Sequence, residues 1–379
     1  MKIPEIVFWI SLAGLIYTWL GYPVLVWIWA SFEQVKRDRA YMLERADRRC
    51  TAPSTWPPIT VCIAAHNEAG RLQAQLESLR QVDYPDWEVI YVLDGCTDQT
   101  AADLTGHPGL EIMLQSRQGK AAAQATARAR ARGEILVLTD AGTRLAPEVL
   151  RHLARHFSQA CVGAVCGAVQ FMSPPGAPLL ERIYWQWESA LRWLEARVGI
   201  SVTASGALLA VRRSIFPVLP VHTLVEDLEI PLRIGAAGYR VVYDPEAIAW
   251  DEAASSLASE SSRRQRLSQG GWRALAGLWG LPLSGRTRWA LVSHKILRWL
   301  TPGLGLILLT SHLALLTQHA FRGLAEAEIA GLAGALICAA CFPAGRGGLA
   351  YIWAMNCALV RGAWRTQASD RRGIWEQAR

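Results

Sequence analysis

The stretch GEILVLTDAGTRLAP, residues 133–147, reads as a short buried strand that ends on an acid and opens into a loop. Ile135, Leu136, Val137 and Leu138 are apolar without alternation, the pattern of a parallel strand covered on both faces. Thr139 and Asp140 follow at its C-terminal end, the end at which open α/β sheets bind ligands. A carboxylate that holds a metal ion on a phosphate should have a second acid close by, but Ala141, Gly142 and Thr143 come next.

Upstream of this strand, Ile59 to Ala64 and Trp87 to Leu93 read as two more strands, and Arg71 to Arg80 and Ala121 to Arg132 as helices. Strands alternating with helices imply an α/β domain with a mostly parallel sheet and crossover helices. The first strand runs into AAHNEAG (64–70), where Asn67 and Glu68 open a helix. The second runs into VLDGCTDQT (92–100), with Asp94, Thr97 and Asp98 around Gly95. Such ends share one crevice, and a carboxylate there can accept from a base N–H or from ribose hydroxyls. The same residues equally suit a turn and the cap of the next helix. In SRQGKAAAQ (116–124), Lys120 follows Gly119 at a helix start; only four lysines occur among the 39 basic residues of the chain. A compact ammonium beside a helix N-terminus suits a diphosphate oxygen.

The chain has 379 residues, 51% of them hydrophobic, with 17 Trp, too apolar a balance for an ordinary soluble enzyme. No charge occurs from Ile6 to Ala30, long enough for a spanning helix of about 20 residues. The run continues through Trp27 and Trp29 with no cleavage-site pattern, so it reads as an uncleaved anchor. Lys36, Arg37, Arg39, Arg45, Arg48 and Arg49 follow it while only Lys2 precedes it, which puts the N-terminus outside and the next domain in the cytoplasm. Much of the net charge of +7 is therefore charge at lipid headgroups, and no basic face interleaved with aromatics argues for nucleic acid.

Trp299 to Thr317 reads as a second span, and Ile329 to Phe342 and Leu349 to Val360 as shorter apolar runs broken at Pro343 to Gly348. Three spans would leave the C-terminus outside, against the Arg-rich tail. The divisions are an anchor over 1–30, a basic linker over 31–56, a catalytic domain over 57–255, interfacial amphipathic helices over 256–295, membrane segments over 296–364 and a basic tail over 365–379. The Ala/Ser run from Ala253 to Ser262 reads as a linker. Eight cysteines are scattered; the close pairs Cys161 with Cys166 and Cys338 with Cys341 lack the second pair of ligands of a zinc site. In ERIYWQWESALRWLEARVG (181–199), Tyr184, Trp187 and Leu191 mark a core face, and Trp185, off that face, offers a ring of the kind that stacks on sugars.

Taken in order, AAHNEAG, VLDGCTD, QGKAAA, LTDAGT, TASGALLAVRRSIF, VEDLEI and SSRRQRLSQGGW resemble the membrane-bound family 2 glycosyltransferases, which include cellulose, hyaluronan and poly-N-acetylglucosamine synthases. The resemblance covers residues 57 to about 275. It implies a GT-A fold in a multi-pass protein of a bacterial-type inner membrane. Its donor would be a nucleoside-diphosphate sugar, UDP-linked, and its acceptor a glycan or lipid-linked molecule in polysaccharide synthesis, among membrane lipids and other assembly proteins. Carried over residue by residue, Ala65, Glu68 and Asp94 would contact the nucleoside, Lys120 the diphosphate, and Asp140 the ribose and a diphosphate-bound Mg2+ or Mn2+. Asp227 would be the general base of an inverting transfer, with Arg266 on the leaving group and Glu226 beside the acceptor.

The chain departs from the family's pattern at Ala64, His66, Gly142, Arg263 and Leu267, which stand where Pro, Tyr, Asp, Gln and Trp are usual. Gly142 removes the second acid; an ion bound chiefly by substrate phosphates needs only one or two protein carboxylates, so Asp140 can suffice. Leu267 removes the usual floor of an acceptor site for processive synthesis. Transfer of a single sugar to a polyprenyl phosphate or ceramide-like lipid, and an inactive membrane scaffold, are the alternative readings.

Overall fold

The computed structural model of the chain describes residues 3–44, 55–172, 179–220, 223–253, 256–316, 318, 321–324, 326, 330 and 343–367. A helical rod comes first, α1 (Ile3–Ile16) and α2 (Tyr22–Glu44), joined by a π-helical turn at Tyr17–Gly21. Then β1 (Ile59–Ala65), α3 (Gln73–Arg80), β2 (Trp87–Asp94), α4 (Thr100–Leu104), β3 (Leu110–Gln115), α5 (Lys120–Arg130) and β4 (Ile135–Asp140) alternate. These strands pair in parallel in the order β3-β2-β1-β4. The continuous apolar runs explain this, because helices cover both faces of β1, β2 and β4 and no polar alternation is needed.

Past β4 the chain forms β5 (Arg144–Leu145), α6 (Val149–Ala154), β6 (Val162–Met172), α7 (Leu179–Arg197), β7 (Leu209–Arg212), α8 (Glu226–Ala236) and β8 (Arg240–Glu252). The full sheet reads β3-β2-β1-β4-β7-β6-β8-β5. It is mixed: β7 runs antiparallel to β4 and β6, and β5 antiparallel to β8, while β6 and β8 are parallel. Two apolar layers, one around Ile63, Tyr91 and Leu153 and one around Ile90, Leu136 and Ile230, cover its faces.

The last described elements are α9 (Leu257–Trp279), α10 (Gly285–Ala290), α11 (Leu297–Trp299), α12 (Thr301–Leu315) and α13 (Pro343–Gln367). The Ala/Ser run is not a linker over its whole length. Ser256 accepts from the Ser259 amide while the Ser259 hydroxyl accepts from the Ser256 amide, a capping box that starts α9. The expected span from Trp299 to Thr317 is not one straight helix either; the axis bends by 63° between Trp299 and Thr301. Pro302 lacks the N–H that would continue the helix and crowds the preceding turn, so the chain restarts there. Gly345, Gly347 and Gly348 do not interrupt the chain before Leu349, since α13 is helical from Pro343 to Gln367; what directly precedes Pro343 lies outside the described residues. Ile329 and 331–342, with Cys338 and Cys341, lie outside the described residues, as do residues 45–54 of the expected basic linker and most of the tail; the first part of that linker, to Glu44, is not a linker but the continuation of helix α2.

Among the described residues, Ile3–Arg39 is the one unbroken helix long and apolar enough to cross a membrane. Its outward face carries exposed Trp9, Ile10, Leu20, Leu25 and Trp27. The opposite face is docked: Tyr22, Val26 and Ala30 pack into a cluster with Leu191 of α7, Leu228 of α8, Leu278 of α9 and Leu291. Ser268 on α9 donates to the Leu359 carbonyl on α13, tying the last helix to the same assembly.

Candidate active site

Three strand ends and the start of α8 meet at one corner. The AAHNEAG and GCTD loops are latched together: the Thr97 amide donates to Asn67 Oδ1 at 2.8 Å, the Ala69 amide to Asp98 and the Glu68 amide to the Thr100 hydroxyl. Asp98 also accepts from the Thr100 amide, so it caps the turn into α4. Ala65 and Glu68 are buried at this latch, with Glu68 3.6 Å from Arg71.

Asp94 is buried beneath the next loop. One carboxylate oxygen accepts from Gln115 Nε2 at 2.8 Å and the Gln118 amide at 2.7 Å, and the other accepts from the Gly119 amide at 2.8 Å. Asp94 thus shapes the turn that delivers Lys120, and Gly119, at φ +97°, adopts a backbone that side chains resist.

Lys120 crosses the corner. Its Nζ lies 2.6 Å from Asp140 Oδ1 and 2.5 Å from Glu226 Oε1, so residues far apart in sequence share one ammonium. Burial opposes the charge, but Asp140 and then Glu226 outweigh it and raise the lysine's pKa. Burial raises Glu226 too, yet Lys120 wins and holds its carboxyl below the usual range. Asp227 has no such relief: burial first and Glu226 second push its carboxyl up. Arg266 on α9 is lowered by burial and by Arg263, against the attraction of Glu226, Asp140 and Asp227, which places it facing the same corner. Gly206, in TASGALLAV, closes the corner at short range: a Cβ there would stand 3.2 Å from Lys120 Nζ, 3.5 Å from Glu226 Oε1 and 3.8 Å from Asp227 Cβ.

Asp251, at the end of β8, was not singled out by sequence. Its neighbour Trp250 pairs with Arg144, just past the TDAGT loop, and burial and then Asp140 push its carboxyl up to about 6. Around Gly142 the loop is open, with no heavy atom within 4 Å of a Cβ built there. Among the described residues no three or more His, Cys, Asp or Glu side chains gather as a ready-made metal site, so any ion here would draw most of its ligands from a bound molecule.

Asp227 also lines a cavity of about 460 Å³ among the helices, walled by residues of α7, α8, α9 and α13 and by the loop before β7. Tyr184 and Trp185 of α7, Leu267 of α9, Lys295, Arg298 and Trp19 of the rod help to form it. Trp185 sits 4.7 Å from Phe171, ring centre to ring centre, under the Arg263 guanidinium. Glu226 is turned toward Lys120 and is not among the lining residues. The expected core face of α7 differs as well: Glu181, Glu188, Leu191 and Glu195 are its buried residues, while Tyr184 and Trp187 are only partly covered. Glu188 accepts from Lys295 at 2.8 Å and pairs with Arg298; His294 sits between Glu188 and Glu195, and Tyr22 donates to Glu195. A glutamate at every seventh position of one amphipathic helix was the available signal.

A crevice at the C-terminal ends of parallel strands is where such a sheet binds a nucleotide, and the fold is that of the GT-A glycosyltransferases. Residues 57–270 match the family described as "Glycosyltransferase like family 2", and the chain belongs to it. It is 28% identical to an N-acetylglucosaminyltransferase of Rhizobium sp., over 51% of this chain and 48% of the relative. It is 23% identical to the poly-beta-1,6-N-acetyl-D-glucosamine synthase of Staphylococcus epidermidis, over 57% and 55%. The chain therefore spans about half the length of the curated relatives it matches. A mannosyltransferase from Pyrobaculum calidifontis, solved in complex with GDP-Man and Mn2+, has the same fold at TM-score 0.70 and 22% identity, covering 96% of this chain and 99% of that one.

Proposed function

We propose that this enzyme transfers a sugar, with inversion at the anomeric carbon, from a UDP-linked donor to a glycan or lipid-linked acceptor during polysaccharide synthesis. The observation that carries this is the position of Asp227, which adjoins the Lys120–Glu226 pair on one side and the cavity on the other. A base must stand between leaving group and acceptor if the acceptor hydroxyl is to attack opposite the departing diphosphate. The raised pKa of Asp227 makes its carboxylate a better proton acceptor than an ordinary aspartate.

In this reading Ala65 and Glu68 border the nucleoside, Asp94 orders the loop under the diphosphate, and Lys120 and Arg266 neutralise the leaving charge. Lys120 would exchange Asp140 and Glu226 for phosphate oxygens as the donor binds. Asp140 and Asp251 would hold Mg2+ or Mn2+, which supplies further positive charge on the diphosphate. Trp185 and Leu267 border the acceptor. The N-terminal helix anchors the protein in an inner membrane with the sheet in the cytoplasm, where nucleotide sugars are made; the basic residues after Val35 support that orientation.

Asp227→Asn tests the assignment. Removing a base that acts only in the transition state lowers turnover by roughly 10²-fold or more and leaves UDP affinity nearly unchanged. Equal loss of UDP binding, read by calorimetry, would move Asp227 from base to donor contact.

A further inference from the structure

The chamber beside Asp227 is built for more than a neutral sugar. Arg192, Arg264, Lys295 and Arg298 line it against two acids, Glu188 and Asp227. Arg298 is 6% exposed, and although one of its terminal nitrogens pairs with Glu188, its Nε and Nη2 find no hydrogen-bond acceptor among the described residues. Trp187 and Trp19 hold the guanidinium in place, with ring centres 4.2 and 5.6 Å from its carbon. Buried donors left without acceptors cost stability unless a ligand supplies them. A guanidinium offering two N–H groups, with the Lys295 ammonium one helical turn away sharing Glu188 with it at 2.8 Å, matches the oxygens of a phosphate. Trp19 of the rod, Trp299, and Ile352 and Met355 of α13 add apolar surface to the same wall.

We infer that the acceptor is a lipid-linked sugar whose phosphate, between tail and sugar, is gripped by Arg298 and Lys295 while a sugar hydroxyl reaches Asp227. This rests on the transferase reading above and names its acceptor class. The attacking hydroxyl oxygen bonds to the donor's anomeric carbon and gives its proton to the Asp227 carboxylate. The bond from that carbon to the diphosphate breaks, and the diphosphate leaves with the electron pair. A bare lipid phosphate as nucleophile would bring an oxygen already without a proton and would leave Asp227 without a task.

The test uses the full chain in detergent without donor, two farnesyl-linked N-acetylglucosamines, one with a diphosphate link and one with a plain ether link, and inorganic phosphate. Binding is read by quenching of tryptophan fluorescence. The phosphate-bearing probe is expected to bind about tenfold or more tighter than the ether, a difference that Arg298→Gln and Lys295→Gln each reduce while UDP affinity is retained. Retained UDP affinity shows that the variants are folded. Equal binding of the two lipids, or inorganic phosphate competing at the affinity of the lipid probe, overturns the inference. UDP binding is scored separately: if UDP binds and the lipids do not differ, the acceptor class falls and the transferase reading stands. If the lipids differ and UDP does not bind, the phosphate site stands and the transferase reading falls.

Discussion

Asp94 and Asp140 end strands that flank β1 on either side, and each is an acid at the C-terminal edge of the same sheet. Their surroundings are opposite. Asp94 is buried and spends both oxygens on the Gln115 side chain and two loop amides, whereas the Asp140 side chain is 35% exposed and paired to Lys120. A carboxylate saturated by amide donors holds architecture; a partly exposed one paired with an ammonium can trade that partner for a ligand. Position at a strand end selects the crevice, and the degree of satisfaction decides the task.

The largest effect expected from this contrast is on catalysis at Asp140. Asp140→Asn should lower kcat/KM by roughly 10²- to 10³-fold, the scale of losing one preorganised charge contact, with the melting temperature nearly unchanged. A fall in stability as large as that of an Asp94 variant would erase the distinction. For Asp94→Asn, the new amide turns a donor toward one of the loop donors, so folding stability should drop by about 2 kcal/mol. Hydrogen exchange at Gln118 and Gly119 should quicken, and normal protection there would mean that the carboxylate is not the loop's anchor.

A smaller effect concerns pH. As the proposed base Asp227 would work only when ionised, and its carboxyl is raised by burial and by Glu226, so kcat/KM should fall as pH drops through a value above the ordinary carboxylate range. Glu226→Gln removes the second cause and should move this acid limb to lower pH. A limb that stays in place would show that some other group governs it. The smallest effect is expected at Gly142, where the loop has room for a side chain. Gly142→Asp should tighten Mn2+ binding to the nucleotide-free protein, measured by titration calorimetry, with little change in stability. Unchanged Mn2+ affinity would mean that the loop does not aim position 142 at the ion.

The parallel half of the sheet and its three strand-end motifs were legible because each lies within a short run of sequence: an apolar strand, a turn and a helix start. The use of Asp94 was not, since turn residues and ligand-binding residues have the same composition and only the amides pointing at the carboxylate separate them. The cationic chamber was hidden for another reason. His294 and Glu188 are 106 positions apart, and the basic residues around them read as lipid-facing charge because the buried glutamates that receive them lie on another helix. Pro302 carried a visible warning of the bend, but counting uncharged length does not weigh where a backbone donor is missing.

Trp19 and Tyr22 make the N-terminal rod part of the chamber and not merely a tether. Trimming the chain to its sheet would therefore unroof the chamber, expose Glu195 to bulk water and remove one of the two rings that hold Arg298. On the reading proposed above, acceptor molecules reach this doorway by drifting sideways through a bilayer. Turnover would then scale with acceptor per unit of membrane area, and diluting the membrane with inert lipid should slow the enzyme even when every component's bulk concentration is held constant.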